Sequence, residues 1–256
     1  MKSRVLGIIP ARLASTRLPR KPLFPLLGRP LVEWVWRRVR EIAVLDSVVV
    51  ATDSEEVADV CRGFGAIVEM TSPQHPSGTD RVAEVAALPQ YRQYPLIVNI
   101  QGDEPLLNPV HLGAVVDLLK EGRWEVATCA SPLLTLEARG NPSVVKVVRT
   151  PAGRALYFSR AQIPYKRDEK PSDEDLAGDR FLAHVGIYGY TREGLGRWVA
   201  LEPSPLEELE RLEQIRPLEA GMEIGVAVVE GAEAGVDTPA DVVHMEQRLI
   251  ALGLNT

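Results

Sequence analysis

The sequence has few of the cysteines that cross-link small secreted proteins and none of the long apolar runs that cross membranes. Its two cysteines, Cys61 and Cys129, each lie alone in apolar surroundings. This excludes a disulfide framework and a cysteine-based zinc site, so we expect two buried thiols. The apolar runs, such as residues 48–51, are far shorter than the ~20 residues that a membrane-spanning helix needs. The sequence therefore predicts no membrane span.

The first residues also lack the pattern of a signal peptide. Their apolar stretch is short, and Pro10 and Arg12 follow it at once. We therefore expect an untargeted, cytoplasmic protein. Hydrophobic residues make up 45% of the chain and charged residues 25%, a composition that argues against disorder or a coiled coil.

Acidic side chains are missing from residues 1–30, which carry seven basic ones. The whole chain nevertheless has a formal net charge of −6. Proteins that coat nucleic acid are usually basic, so the negative total argues against that class. The basic first segment is instead suited to a small polyanion.

Short apolar runs alternate with amphipathic stretches through the first half of the chain. This rhythm predicts strands over 5–10, 47–53, 66–70, 95–101 and 126–130, with helices over 31–42, 55–64, 79–88 and 109–119 between them. Repeated strand-helix-strand connections require a parallel sheet with helices on both faces. The expected fold class is α/β.

The pattern changes in the second half. Residues 144–149 and 155–159 flank a Thr-Pro-Ala-Gly turn and predict an antiparallel hairpin. The polar segment 166–175 predicts an exposed mobile loop, followed by a strand over 181–190, a helix over 205–220, a strand over 223–229 and a closing helix over 239–252. A single domain, 1–256, with an antiparallel insertion fits this pattern better than two independent domains.

Two groups of residues carry phosphate chemistry. Directly after the first strand, Arg12, Arg17 and Lys21 supply charged donors and Ser15 and Thr16 supply neutral ones. Ligands of open α/β sheets bind beyond the carboxyl ends of the strands, so phosphates would lie at this loop. The alternative is a solvated basic surface.

Carboxylates form the second group. Asp103 and Glu104 end a buried strand and could hold a hard cation such as Mg²⁺ at the same sheet edge. Asp237 precedes the closing helix and is either a helix cap or a second metal ligand from a distant part of the chain. A metal beside a basic loop indicates phosphoryl or nucleotidyl chemistry.

Three further residues stay ambiguous from sequence alone. Ser77 precedes a helix next to Gly78: either Ser77 or Thr79 caps the helix, or the glycine lets the backbone approach a ligand closely. His184, on an apolar strand, is typical of a structural histidine, and Arg160 at a strand end either clamps a carboxylate or forms a salt bridge. The chain has no Gly-x-Ser-x-Gly motif, which leaves a serine hydrolase unsupported.

Several motifs in the same order resemble one family over nearly the whole chain. These are residues 9–23 (IPARLASTRLPRKPL), 99–105 (NIQGDEP), 157–160 (YFSR), 184–190 (HVGIYGY), 212–216 (LEQIR) and 235–239 (GVDTP). The sequence resembles the 3-deoxy-manno-octulosonate (Kdo) cytidylyltransferases. The resemblance implies a Rossmann-like nucleotidyltransferase fold with the antiparallel insertion near the sugar site.

The resemblance also implies an activity: transfer of CMP from CTP to Kdo, with Mg²⁺ as cofactor, for lipopolysaccharide synthesis. By similarity, Asp103 and Asp237 hold the magnesium. The other roles implied are triphosphate binding by Arg12, Arg17 and Lys21, nucleotide binding by Pro10, Ala11, Ser77, Arg81 and Gln101, and sugar binding by Arg160, His184, Tyr188, Glu213 and Gln214. Arg160 and His184 would offset the charge of the sugar acid. The family also implies a homodimer, with residues 144–222 as the sugar-binding and dimerisation subregion.

Two other functions remain open. A sialic acid cytidylyltransferase, or one acting on 8-amino-Kdo, would share the chemistry, although the loop 13–19 lacks the glycine-rich sequence typical of the sialic acid enzymes. A non-catalytic nucleotide-binding module would use the basic loop without turnover. Asp103 and Asp237 argue against that module, because a sensor does not need a metal at the α-phosphate.

Overall fold

The computed structural model describes residues 3–15, 17–231 and 235–254. The chain divides into two compact units, Met1–Pro109 with Glu233–Thr256 and Val110–Ala232. The expectation of one domain over 1–256, with 144–222 as a sugar-binding and dimerisation subregion, stays a prediction.

Strands and helices alternate along most of the chain. The strands are β1 (Val5–Pro10), β2 (Pro25–Leu26), β3 (Arg29–Pro30), β4 (Ser47–Thr52), β5 (Ile67–Met70), β6 (Leu96–Asn99), β7 (Val126–Pro132), β8 (Lys146–Arg149), β9 (Ala155–Ser159), β10 (Leu182–Thr191) and β11 (Ile224–Val228). The helices are α1 (Leu31–Val39), α2 (Glu55–Gly63), α3 (Gly78–Ala87), α4 (Pro109–Lys120), α5 (Leu136–Gly140), α6 (Asp173–Ala177), α7 (Arg192–Val199), α8 (Pro205–Glu210), α9 (Ile215–Glu219) and α10 (Pro239–Ala251).

The first unit contains a parallel sheet in the order β6-β1-β4-β5. Its central strands are buried, as the continuous apolar runs require. The helices between them begin at side-chain caps, such as Ser54 before α2 and Ser77 before α3. The predicted α/β class and the predicted strands of this unit are confirmed, and their boundaries either match or differ by one or two residues.

A hydrophobic cluster of the first unit holds the segments that flank the charged residues. Leu18, from the basic loop, and Val236 are each 1% exposed and pack in one cluster with Trp34 and with Leu249 of α10. Full burial of a leucine or valine stabilises by about 1.5–3 kcal/mol. Arg17 and Asp237, the chain neighbours of Leu18 and Val236, are thereby fixed at their backbones.

The second unit contains a mixed sheet. β7 pairs antiparallel with β10 and parallel with β11, and β8 pairs antiparallel with β9 and β10. The predicted β8–β9 hairpin is confirmed. β10 carries an irregularity between Val185 and Tyr188, which changes its register against β7.

The predicted helix over 205–220 is wrong, because it is two short helices. Arg211 adopts a left-handed conformation (φ 54°) that ends α8, and its amide N–H donates to the carbonyl oxygen of Glu207. Leu212 is buried after the break, and Arg216 of α9 forms a two-fold ion pair with Glu207 at 2.6 and 2.7 Å. Tertiary packing thus overrides a helical periodicity that continues through the break.

The exposed loop predicted over 166–175 is also partly wrong. Helix α6 begins at Asp173 with a capping box between Ser172 and Asp175. Asp175 also accepts a hydrogen bond from Lys166 at 2.6 Å. The polar residues at the end of this segment therefore cap the start of α6, and only the residues before them form a loop.

Both cysteines are buried, as predicted, and burial raises the pKa of each thiol to about 12. Among the helices that the structure describes, none is long and apolar enough to span a bilayer.

Candidate active site

A cavity of about 330 Å³ opens in the first unit beyond the carboxyl ends of β1 and β6. This is the sheet edge where ligands of α/β proteins bind. The lining includes the predicted nucleotide residues Pro10, Ala11, Arg12, Arg17, Lys21, Ser77, Arg81 and Gln101, together with Asp103 and Asp237. The structure therefore brings the predicted nucleotide and metal residues to one cavity.

Backbone contact between two strand ends shapes the floor of this cavity. A Cβ atom built on Gly102 would lie 2.8 Å from the carbonyl oxygen of Pro10, closer than real Cβ contacts come. Only glycine lets the segment after β6 pass this close to the end of β1.

Lys21 lies between the two predicted metal ligands. Its ammonium group donates hydrogen bonds to the carboxylates of Asp103 and of Asp237, the latter at 2.8 Å. Arg17 forms a second ion pair with Asp237 at 3.0 Å. Two carboxylates from distant parts of the chain therefore converge on a single cationic group.

Asp237 is not a helix cap. Thr238 caps α10, with its hydroxyl accepting from the amide of Asp241 while Asp241 accepts in return. The cap interpretation of Asp237 is therefore wrong, and its carboxylate is turned to Lys21 and Arg17.

The remaining ionisable groups at this edge differ in charge state. Burial, together with the negative charge of Asp103, raises the pKa of Glu104 to about 8, which favours its neutral form at pH 7. Arg12 is exposed and, within the described part of the chain, forms no hydrogen bond or ion pair.

No group of three or more His, Cys, Asp or Glu side chains suited to a metal occurs among the described residues.

Arg81 is the buried cation of the cavity. It is only 3% exposed, and its guanidinium donates to the hydroxyl of Thr71 and to Asp53 at 3.1 Å. Sequence reasoning missed Asp53 and Thr71. Asp53 follows the buried strand β4 directly, just as Asp103 closely follows β6, so the rule that found Asp103 would also have found it.

Ser77 does cap α3, because its hydroxyl accepts from the amide of Asp80 at 3.2 Å. It also lines the cavity, as Gln101 does. Capping and proximity to a ligand, which the sequence left as alternatives, are thus compatible for Ser77.

The predicted sugar residues lie in the second unit, where Arg160 holds a loop junction. Its guanidinium donates to the backbone carbonyls of Pro142 (3.0 Å), Glu210 (2.7 Å) and Arg211 (3.2 Å). Its amide donates to the carboxylate of Glu210 at 2.9 Å. The sequence left two alternatives for Arg160, a carboxylate clamp and a salt bridge. Its guanidinium instead donates charge-assisted hydrogen bonds to backbone carbonyls.

His184 is a neutral residue in this structure. Burial lowers its pKa to about 4, which favours the neutral imidazole at pH 7; the expectation that His184 supplies a charge against an anion stays a prediction. Its Nε2 lies 3.0 Å from the hydroxyl of Thr128, which itself donates to the carbonyl of Ile187 at 2.8 Å. Nε2 must therefore carry the proton, which leaves Nδ1 as an acceptor.

Tyr188 and Glu213 connect to His184 through aromatic rings. The Tyr188 ring lies 5.3 Å from that of His184 and 5.7 Å from that of Trp198, whose Nε1 donates to Glu213 at 3.0 Å. The Tyr188 hydroxyl is buried, and burial raises the pKa of Tyr188 well above its ordinary value. Gln214, the next residue after Glu213, is 7% exposed.

Trp198, Glu210 and Lys146 are residues of this region that the sequence analysis missed. A lysine inside the apolar run Val144–Val148 was the one sign of a buried amine that the sequence contained.

Comparisons with known proteins identify the family of this chain. A family model described as Cytidylyltransferase matches residues 6–224. A 3-deoxy-manno-octulosonate cytidylyltransferase of Gemmatimonas aurantiaca is 48% identical over 240 residues, which cover 94% of this chain and 92% of that protein. The enzyme of the same name from Haemophilus ducreyi is 44% identical over 245 residues, covering 94% of this chain and 96% of its own.

Two solved structures have the same fold. A CMP:2-keto-3-deoxy-manno-octonic acid synthetase complexed with CTP matches with a TM-score of 0.89 and 36% identity, over 98% of this chain and 100% of that one. A 4-diphosphocytidyl-2C-methyl-D-erythritol synthase from Anaerococcus prevotii matches over the same shares with a TM-score of 0.63 and 12% identity, which speaks for the fold alone. The resemblance that the motifs indicated is confirmed, and the chain belongs to the cytidylyltransferase family.

Proposed function

We propose that this protein transfers CMP from CTP to the anomeric hydroxyl of Kdo and releases pyrophosphate. The observation that carries the proposal is the convergence of Asp103, Asp237 and Lys21 in a cavity lined by Arg12 and Arg17. The names of the relatives and the CTP complex of the structural neighbour support the same substrates.

The nucleotide would bind in the cavity of the first unit. Arg12, Arg17 and Lys21 offer the cationic donors that a triphosphate requires. Arg81, held by Asp53, presents its remaining N–H groups at the cavity wall. Ser77, Gln101 and the Pro10–Ala11 backbone add neutral contacts.

Asp103 and Asp237 would hold Mg²⁺. Both carboxylates contact one cationic group, the Lys21 ammonium, and this shared contact supports a shared metal ion. Oxygen donors suit Mg²⁺, which takes few protein ligands and completes its shell with water and phosphate oxygens. When bound, the ion would supply charge neutralisation at the phosphates and lower the pKa of the attacking hydroxyl.

The sugar acid would bind to the second unit. Three N–H groups of the Arg160 guanidinium are used by backbone carbonyls, and the others can pair with a carboxylate. Nδ1 of His184 can accept a hydrogen bond from a sugar hydroxyl, and the Tyr188 ring beside it would contact the sugar. Glu213 and Gln214 complete the proposed set.

In the reaction, the anomeric oxygen attacks the α-phosphorus while the bond to the pyrophosphate oxygen breaks. Lys21, Arg12 and Arg17 would stabilise the charge that accumulates on the leaving pyrophosphate. Alignment of the two substrates supplies the other part of the rate enhancement.

The test is pyrophosphate release by the purified protein with CTP and Mg²⁺. Kdo, 8-amino-Kdo and sialic acid are offered in parallel, with EDTA as the control. Release with Kdo that EDTA abolishes is the expected result. Release only with another sugar acid would replace the substrate and keep the chemistry, and no release with any of them would leave a nucleotide-binding module.

The proposal extends to the setting of the enzyme: lipopolysaccharide synthesis, in the cytoplasm, as a homodimer. Light scattering coupled to size-exclusion chromatography tests the dimer. A mass of 28.1 kDa, that of a single chain, would refute it.

A further inference from the structure

Lys146, at the start of β8, is a fully buried lysine to which the site described above assigns no role. Its ammonium donates to three backbone carbonyls, those of Asn141 (3.0 Å), Val144 (2.6 Å) and Arg160 (2.6 Å). All three N–H donors of the amine are thereby used. The amine joins the loop before β8 to the end of β9.

Packing alone does not explain a lysine at this position. A buried ammonium loses its hydration, and an apolar side chain of similar volume is often at least as stable. Burial and the nearby charges of Arg160 and Arg139 lower the pKa of Lys146, whereas the charge of Glu210 raises it. The amine therefore stands close to two other cations and to one carboxylate.

One hydrogen bond of Lys146 reaches Arg160 directly, and the other two hold the loop that Arg160 contacts. The carbonyl of Arg160 accepts from Lys146, and its guanidinium donates to Pro142, inside the loop that Lys146 fixes at Asn141 and Val144. Glu210 holds the same residue from the other side, through the Arg160 amide at 2.9 Å. The arginine is thus fixed at its backbone and at its side chain.

The strand pairing places Lys146 between two of the proposed sugar residues. β8 lies between β9, which ends next to Arg160, and β10, which carries His184. The amide of His184 donates to the carbonyl of Val145 at 2.8 Å. A displacement of β8 would therefore also move Arg160 and His184.

We infer that Lys146 is a positioning residue for the acceptor sugar acid, acting through Arg160. The inference rests on the proposed role of Arg160 as the partner of the sugar carboxylate. Lys146 itself touches no substrate. It fixes the Asn141–Val144 loop and the Arg160 carbonyl so that the free N–H groups of the guanidinium keep their direction.

The test compares Lys146→Met with Arg160→Ala and the double variant, in steady-state kinetics with each substrate varied. Lys146→Met should raise the KM for Kdo about tenfold or more, the loss expected when a charge-assisted hydrogen bond is misdirected, and leave the KM for CTP unchanged within about twofold. Because Lys146 acts through Arg160, adding Lys146→Met to Arg160→Ala should change the Kdo KM by less than about twofold. Lys120→Met, which removes a surface lysine of the same unit, is the matched control.

Equal increases in both KM values, or an effect that adds fully to that of Arg160→Ala, would mean a merely structural lysine and would overturn the inference. If Arg160→Ala raises the Kdo KM and Lys146→Met does not, the inference fails and the proposed sugar site stands. If Arg160→Ala itself leaves the Kdo KM unchanged, the sugar assignment fails as well. Circular dichroism and thermal melting establish folding, and Lys146→Gln, which keeps a shorter donor, is judged by the same criteria if Lys146→Met does not fold.

Discussion

Removing the charge of Lys21 should strengthen the binding of a divalent cation to the protein in the absence of nucleotide. The Lys21 ammonium lies between Asp103 and Asp237, where a metal held by both carboxylates would have to sit. A cation that enters must displace the ammonium. The change we propose is Lys21→Met, which keeps the length of the side chain and removes its charge.

The expected magnitude follows from the exposure of these groups. The side chains of Lys21 and Asp103 are 16% and 26% exposed, whereas Arg17 and Asp237 are 66% and 40% exposed. Each partly buried contact of Lys21 contributes about 1 kcal/mol, at the upper end for ion pairs that water still reaches. The loss of two such contacts on displacement costs the wild type about 2 kcal/mol, which is about 30-fold in affinity.

The measurement is Mn²⁺ binding followed by electron paramagnetic resonance, because Mn²⁺ prefers the same oxygen donors as Mg²⁺. Lys21→Met should bind Mn²⁺ about 30-fold more tightly than the wild type. Arg17→Met is the matched control: its exposed ion pair is worth at most about 1 kcal/mol, so the gain should stay below about fivefold. Asp103→Asn should abolish the tight site in the Lys21→Met background.

Equal Mn²⁺ affinity in the wild type and Lys21→Met would contradict this prediction, provided that both proteins melt as folded proteins. That result would mean that the ammonium and the metal do not compete for the two carboxylates. An equal gain for Lys21→Met and Arg17→Met would show a general effect of net charge instead of direct displacement.

Three further predictions concern the cavity and the sugar site. Gly102→Ala should raise the KM for CTP, because its Cβ would lie 2.8 Å from the Pro10 carbonyl and something must shift; Gly113→Ala, in open space, is the control, and an unchanged KM would contradict the close contact. His184 should make the protein less stable as the pH falls: its pKa is about 4 when folded against 6.5 when unfolded, so the contribution is present above pH 6.5 and is lost toward pH 4. Between pH 7 and pH 5 this contribution falls by about 2 kcal/mol, so in urea unfolding the wild type should lose about 2 kcal/mol of stability relative to His184→Asn. The comparison of the two proteins cancels the opposite effect of buried Glu104, whose raised pKa stabilises the folded state as the pH falls. Arg12→Ala should slow CTP association and weaken its dependence on salt in stopped-flow experiments, since this exposed cation acts by electrostatic steering; an unchanged salt dependence would remove Arg12 from the triphosphate site.

The sequence predicted the parallel sheet of the first unit well, because strands buried on both faces leave continuous apolar runs such as that of β4. It failed over 205–220, where Arg211 ends α8 in a left-handed conformation. Nothing in the periodicity marks this break. The ion pair of Arg216 with Glu207 and the burial of Leu212 set it, and both are tertiary contacts.

The residues of the candidate site also divide into those that the sequence could predict and those that depend on tertiary contacts. The place of Asp103 was predictable, since strand ends meet at one edge of a parallel sheet. Asp237 follows no strand of that sheet directly, and its approach to Asp103 was implied only by the family resemblance. The role of Lys146 was not predictable, because its partners are backbone carbonyls of loops whose course depends on the folded chain. The sequence shows that a lysine is present, but the backbone carbonyls that accept its hydrogen bonds are brought together only by the fold.

The charges of the first unit would allow its cavity to bind both the proposed nucleotide and the proposed metal. Asp103 and Asp237 are balanced by Lys21 and Arg17, so this group of four is neutral, and the positive charge of Arg12 remains for an incoming polyanion. A triphosphate that pairs with Lys21 would free the two carboxylates for a cation at the moment when phosphate oxygens are present to complete its shell. The competition between the Lys21 ammonium and the metal, which Lys21→Met would remove, therefore affects the order of binding as well as the metal affinity. The lysine would delay tight metal binding until the nucleotide has bound.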